Sequence, residues 1–218
     1  MPAEVTASTE IIGLGGAVTP AGLLAAYGMG MFPMAIAIDE AHSATAWYAP
    51  AERALLTYPG MHLTRSLRRS MRTFDITYDA AFADVLAGCA DPSRDHGWMT
   101  AEYQDSYLGL HSAGYAHSVE VWQGGELVGG LLGIELGGLF CADTKFRRVT
   151  DASKAAVAGL SQRVFAGAIG PQRVVDAQWL TPHLASLGFQ AVPRARYEAM
   201  LPGLQALPGT FGGGIRTV

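Results

Sequence analysis

The sequence predicts an α/β (α+β) protein: a mixed sheet flanked by helices, carrying a small N-terminal α+β subdomain. Three observations lead there. His117–Trp122, Glu126–Ile134 and Leu139–Cys141 read as successive strands turned at Gly124-Gly125 and Leu136-Gly137-Gly138, a meander in mid-chain. An amphipathic helix from Thr150-Asp151 to about Ala166 follows, then a short strand opening at Val174-Val175 and another helix. The pieces before residue 60 are too small to make a core alone and must pack on what comes after. The chain therefore divides into a subdomain over 1–60 and a main domain over 61–218.

Composition narrows the classes. The formal charge of −4 advertises no nucleic-acid binding globally, so any polyanion site is a local patch. Cys89 and Cys141 suggest neither a disulfide framework nor a zinc cluster, and a core of this size needs neither. They fit a reducing compartment. The first ten residues hold two glutamates and no basic run, which argues against a secretory signal. Ile11 to Ile38 carries no charge. Its densest part, Leu23–Ile38, is short of the roughly twenty residues a span needs and is broken by Gly28, Gly30 and Pro33. It reads as a buried subdomain, with a membrane span as the alternative.

In order, Thr19-Pro20 starts a helix with Leu23, Leu24 and Tyr27 on its apolar face, ended by Gly28-Met29-Gly30. Met31-Phe32-Pro33 must be extended. Trp47–Pro50 is a second aromatic-proline segment, and Arg53–Leu56 looks like a strand. His62–Arg72 reads as a helix with Arg65, Arg68, Arg69 and Arg72 on one side, either a solvated face or a phosphate site. Phe74–Tyr78 is a strand and Ala80–Cys89 a helix. Asp91–Trp98 is a turn-rich loop whose Trp98 is a core anchor or a stacking surface for a base. Thr100 caps a helix over Glu102–His111 with Tyr103, Tyr107 and Leu110 in period. In the meander, Gly129-Gly130 and Gly133 permit close approach or mark a bulge.

Arg173–Gly188 is the stretch the rest is organised around. On a strand, Asp176 and Gln178 share one face. Thr181 caps a short helix, Pro182 takes its first turn and Gly188 stops it. A carboxylate and an amide thus sit where a strand ends and a helix begins, the place open α/β sheets bind ligands. The alternative is that Asp176 caps the turn. By residue type alone, Asp143 after the third strand is a turn or cap residue. The glycine-rich tail Pro208–Val218 is expected to fray.

The order meander, helix, strand, helix, strand resembles the acetyltransferase-like (GNAT-type) fold. Cofactor users of that fold carry a glycine-rich turn after the meander. Here the segment reads KFRRVTDASK, without glycine, so another acyl carrier than acetyl-CoA is wanted. YGMGMFPM, HLTRSLRR, YAHSVEVW, GELVGGLLG, DASK and DAQWLTPHLASLG, in that order and spacing, resemble the leucyl/phenylalanyl-tRNA–protein transferase family from about Leu23 to Leu201.

The resemblance implies transfer of leucine or phenylalanine from tRNA onto a protein N-terminus beginning with Arg or Lys, marking it for N-end-rule degradation. It implies a catalytic pair at Asp176 and Gln178 and an acceptor-binding acid at Asp143. It implies an aminoacyl pocket of Leu131, Phe140, Lys145, Val157 and Val175, and tRNA contacts at Arg65, Arg69, Trp98 and Met34. In that scheme the Gln178 side-chain oxygen accepts a hydrogen bond from the attacking amine, and Asp176 orients and polarises Gln178. No metal and no cofactor besides aminoacyl-tRNA are expected. The partners expected are the tRNA 3′ end and protein or peptide N-termini, with no DNA and no membrane, for a cytoplasmic monomer.

Phe140–Arg147 departs from the family's FGESMFS. Asp143 stands for a glutamate, Lys145 for a methionine and Arg147 for a serine, and Met34 replaces the tryptophan of FPW. A cation in an apolar pocket is costly unless its head escapes, and it repels a basic acceptor. Two further readings follow: a non-catalytic or altered-specificity tRNA-binding relative, and a CoA-dependent N-acetyltransferase.

Overall fold

The structure, a computed structural model, describes residues 10–38, 42–94, 98–167 and 172–212. The readings made for the first nine residues, for 95–97 of the turn-rich loop and for 213–218 of the tail fall outside the described residues.

β1 (Ile11–Leu14), α1 (Pro20–Gly28), β2 (Phe32–Ala37) and β3 (Ser43–Tyr48) make the N-terminal unit, an antiparallel sheet in the order β1-β3-β2. Thr19 starts α1 by accepting the Gly22 N–H on its hydroxyl at 3.1 Å, with Pro20 in the first turn. β4 (Glu52–Thr57) corrects the proposed division at residue 60. It lies in the large sheet, antiparallel to two strands from the far end of the chain, because Ala54, Leu55 and Leu56 bury their side chains there.

α2 (Arg65–Ser70) is shorter than the expected helix and runs into a 3-10 turn at Met71–Thr73. The backbone before it is committed elsewhere: Met61 N donates to Ser161 Oγ and His62 N to Leu187 O, both at 2.9 Å. Thr64 then caps the helix through the Leu67 N–H at 3.2 Å. β5 (Asp75–Tyr78), α3 (Phe82–Cys89) and α4 (Ala101–Ser112) follow in the expected order; Thr100 stands at the N-cap of α4 but its side chain makes no capping hydrogen bond.

The meander is β6 (Ala116–Gln123), β7 (Glu126–Leu136) and β8 (Leu139–Arg147). β8 runs well past Cys141, so Asp143 lies inside the strand rather than after it. Leu132 faces Thr144 and Gly133 faces Ala142, which leaves Asp143 as the extra residue of a β-bulge. α5 (Ala152–Val164), β9 (Val174–Asp176), α6 (Pro182–Ser186), β10 (Gln190–Pro193) and α7 (Arg194–Gln205) complete the order. The sheet runs β10-β4-β9-β8-β7-β6-β5 and is mixed, with β8 and β9 parallel. The expected sequence of meander, helix, strand, helix, strand is present.

Two cores lie on opposite faces of this sheet. One joins Leu23, Tyr27 and Phe32 of the N-terminal unit to Tyr107, Leu132 and Tyr197. The other packs Val157 and Leu160 of α5 and Leu184 of α6 onto Leu131, Phe140 and Val175. Each such side chain contributes about 1.5–3 kcal/mol by leaving water. The small unit is therefore held by shared core, as its size requires. The start of the tail is docked rather than frayed: Thr210 N donates to Glu135 Oε1 at 2.7 Å, and the Phe211 ring lies 5.3 Å from that of Phe140. No helix among the described residues is long and apolar enough to cross a membrane.

Candidate active site

β9 ends at Asp176, two residues earlier than the pairing of Asp176 and Gln178 on one strand face requires. Ala177 leaves the strand and Gln178 takes a left-handed backbone, φ +61°, unusual for a residue with a Cβ. Asp176 stabilises this turn by accepting the Gln178 backbone N–H on Oδ1 at 2.9 Å. The turn-capping reading of Asp176 is thus the one realised. The two side chains do not project together. Asp176 is fully buried and borders neither of the two cavities described below, whereas Gln178 borders both.

Every lone pair of Asp176 is occupied. Arg53 on β4 donates from Nε to Oδ1 at 3.2 Å and from Nη2 to Oδ2, a fork-to-fork pair. Tyr197 Oη donates to Oδ2 at 2.8 Å, and Cys141 Sγ lies 3.8 Å from the same atom. Burial, and next to it the Asp176 charge, holds the Tyr197 phenol protonated far above its usual range. Arg53 itself is 1 % exposed, so the pair is dry on both sides.

The Gln178 side chain turns the other way. Its Nε2 donates to Asp143 Oδ1 at 3.1 Å, and Oε1 has no hydrogen-bond partner among the described residues, which leaves it as the acceptor of the amide. The bulge aims Asp143 into a ring of donors: Tyr27 Oη to Oδ1 at 2.7 Å and Tyr107 Oη to Oδ2 at 2.8 Å. Burial pushes the Asp143 carboxyl up to about 7; the two phenols pull it down and the Asp176 charge pushes it further up. Burial and the charge of Asp143 keep both phenols protonated, so they remain donors.

Two cavities meet at this network. The first, about 220 Å³, is walled by Leu131, Val157, Leu160, Val175, Leu184 and Phe189, with Lys145 and Thr181 also on its border. The second, about 180 Å³, lies between Tyr27, Phe32, Pro33, Met34 and Trp98. Asp143, Gln178 and Trp179 border both. Trp179 is fixed from the N-terminal unit: its Nε1 donates to Glu10 Oε2 at 2.9 Å, and Phe32 and Tyr48 meet its ring edge-on at 4.7 and 5.2 Å.

Four of the five expected pocket residues, Leu131, Lys145, Val157 and Val175, border the first cavity. Phe140 does not. Its ring fills the space left by the missing side chain of Gly133, 2.6 Å from where a Cβ would stand, and rests on Phe211. Burial, then the nearby Arg94 charge, lowers the Lys145 ammonium, which has no hydrogen-bond or ion-pair partner among the described residues. Met34 and Trp98 border the second cavity. Arg65 and Arg69 are exposed on α2 and border neither. α2 and the segment before it are tied to the ends of the helices whose side chains wall the first cavity: Ser70 Oγ donates to Asp151 Oδ2 at the start of α5 and His62 N to Leu187 O at the end of α6, each at 2.9 Å.

Sequence reasoning missed Arg53, Tyr27, Tyr107, Tyr197 and Trp179. Some signal existed. A charged residue at the head of an apolar strand needs a buried partner, and tyrosines on inward helical positions bring hydroxyls that need acceptors.

A model of the family described as leucyl/phenylalanyl-tRNA protein transferase matches residues 55–202. A protein of that name from Shewanella baltica is 38% identical over 208 residues, covering 94% of this chain and 85% of its own. Another from Aromatoleum aromaticum is 43% identical over 198 residues, covering 88% of this chain and 79% of its own. Among solved structures, a GCN5-related N-acetyltransferase-like protein from Streptococcus suis is similar with a TM-score of 0.36 and 16% identity, over 79% of this chain and 64% of that one.

Proposed function

The chain belongs to the leucyl/phenylalanyl-tRNA–protein transferase family, and from that premise we propose how its two cavities share the substrate. It is an aminoacyltransferase that moves an amino acid from tRNA to protein N-termini. The leucine or phenylalanine side chain enters the 220 Å³ cavity. An apolar cavity of about 150 Å³ already takes up benzene, so a phenyl ring fits the larger one. The terminal adenosine occupies the second cavity against Met34 and Trp98, and the ester lies between them beside Gln178. Arg65 and Arg69 hold the tRNA phosphates.

The acceptor amine attacks the ester carbonyl, a C–N bond forms and the C–O bond to the ribose breaks. The amine proton leaves with the ribose oxygen. Gln178 Oε1 accepts a hydrogen bond from the amine, aimed there because Nε2 is held by Asp143. Such an amide is a weak base, so its contribution is placement more than proton abstraction. Asp143 supplies the negative end for a basic acceptor. The atoms balance without metal or cofactor, and we place the protein in the cytoplasm as a monomer, its products marked for N-end-rule degradation.

The observation that carries this reading is the meeting of both cavities at Asp143 and Gln178. The test is transfer of labelled leucine or phenylalanine from purified charged tRNA to peptides beginning with Arg or Lys. Labelling abolished by ribonuclease is the expected result; labelling that survives it, or none at all, removes the reading. Lys145 favours a second outcome in the same assay, an altered preference for donor or acceptor, because it brings to the cavity wall a cation with no partner among the described residues.

A further inference from the structure

We propose that Arg53 is a positioning residue for transfer: it clamps Asp176 so that the Gln178 amide stays at the junction of the cavities, and it ties that clamp to the strand walling the second cavity. This rests on the reading of Gln178 as the group that meets the acceptor amine. The geometry runs in one chain of contacts. Gly30 O accepts from Arg53 Nη1 at 2.7 Å, immediately before the strand carrying Phe32, Pro33 and Met34. The guanidinium lies 4.8 Å from the Phe32 ring centroid and 4.6 Å from that of Tyr197. Its other nitrogens take both oxygens of Asp176, whose Oδ1 holds the Gln178 N–H.

Asp176 borders neither cavity, and its hydrogen bond to a residue that borders both is the one to the Gln178 backbone. Removing one partner of a buried ion pair leaves the other uncompensated. Without Arg53, Asp176 loses the two donors that fix its plane, its hold on the Gln178 N–H weakens, and the left-handed turn relaxes towards ordinary backbone. The side chain then leaves Asp143. Lysine cannot replace the fork: it carries the charge as a point and cannot also reach Gly30 and both carboxylate oxygens.

The test compares the parent protein with Arg53→Lys, with the paired Arg53→Met/Asp176→Leu, and with Tyr197→Phe. The apolar pair replaces a buried ion pair by side chains of similar volume, a change that commonly preserves folding. For each, thermal unfolding, binding of charged tRNA, and kcat and KM for transfer are measured. Arg53→Lys and the apolar pair should lower kcat about 100-fold with KM and tRNA affinity little changed. Tyr197→Phe keeps the ring, removes one donor to Asp176, and should lower kcat up to about tenfold. It serves if the paired variant does not fold. Parental kcat in Arg53→Lys and Tyr197→Phe overturns the proposal, as does a fall in which tRNA affinity and kcat drop together. A parent protein that transfers nothing overturns the reading of Gln178 and this proposal with it; active parent and equally active variants overturn this proposal alone.

Discussion

Asp176 holds Gln178 by its backbone, not by its side chain: Oδ1 accepts the Gln178 N–H at 2.9 Å while the side-chain amide donates to Asp143 at 3.1 Å. The contact between Asp176 and Gln178 runs through the backbone of a turn. The two carboxylates therefore have separate tasks, one shaping the chain and one aiming the amide.

Gln178→Ala should reduce transfer about 100-fold and leave tRNA binding nearly intact, since the side chain places the nucleophile and does not hold the phosphates. Single-turnover transfer and filter binding check it. Equal loss in both would make the residue structural.

Asp143 gives the pH dependence. Its carboxyl is raised by burial from 3.8 to about 7. The folded protein thus binds a proton that the unfolded chain has released over that window, so this group's contribution to stability is full below about 4 and lost as pH rises through about 7. Transfer should rise with pH across the same upper limit as the carboxylate forms. Asp143→Asn should remove the inflection near 7 from the rate profile and flatten the stability curve between those limits, read by chemical denaturation at each pH.

Lys145→Met should raise stability by up to about 1 kcal/mol, because it removes a half-buried cation that lacks a partner among the described residues. It should also raise transfer of leucine and phenylalanine relative to polar donors. Competition between charged tRNAs measures the second effect, and thermal unfolding the first.

Arg65→Ala with Arg69→Ala should weaken tRNA binding and lower the slope of log affinity against log salt by about 1.4 to 1.8 in all. An unchanged slope would make that exposed face of α2 a solvated one.

Gly133→Ala should cost about 3 kcal/mol or more. An added Cβ would stand 2.0 Å from the Cys141 carbonyl oxygen and 2.6 Å from the Phe140 ring, against the bulge that presents Asp143. Equilibrium unfolding in urea gives the value.

Much of this was readable in the residues, for local reasons. Gly124-Gly125 and alternating side chains announce the first hairpin, and Thr181-Pro182 announces α6, because turns and caps depend on near neighbours. The four arginines around α2 show their common exposure in the same way. What was hidden depends on distance or on one-residue geometry. The left-handed Gln178 follows from a hydrogen bond, not from its own propensity. The bulge at Asp143 follows from a two-for-one pairing that strand alternation cannot reveal. Arg53 meets Asp176 across 123 residues of sequence, so nothing beside either one names the other.

That separation also fixes an order of events while the polypeptide is made. β4 leaves the ribosome well before both strands that flank it, β9 and β10. Until they arrive, an apolar ribbon with two open edges waits without its neighbours, the kind of exposure that favours self-association and slow maturation. Cooler growth or a holdase chaperone should increase recovery, and competence for chemistry should appear only once β9 and β10 have emerged and paired with β4.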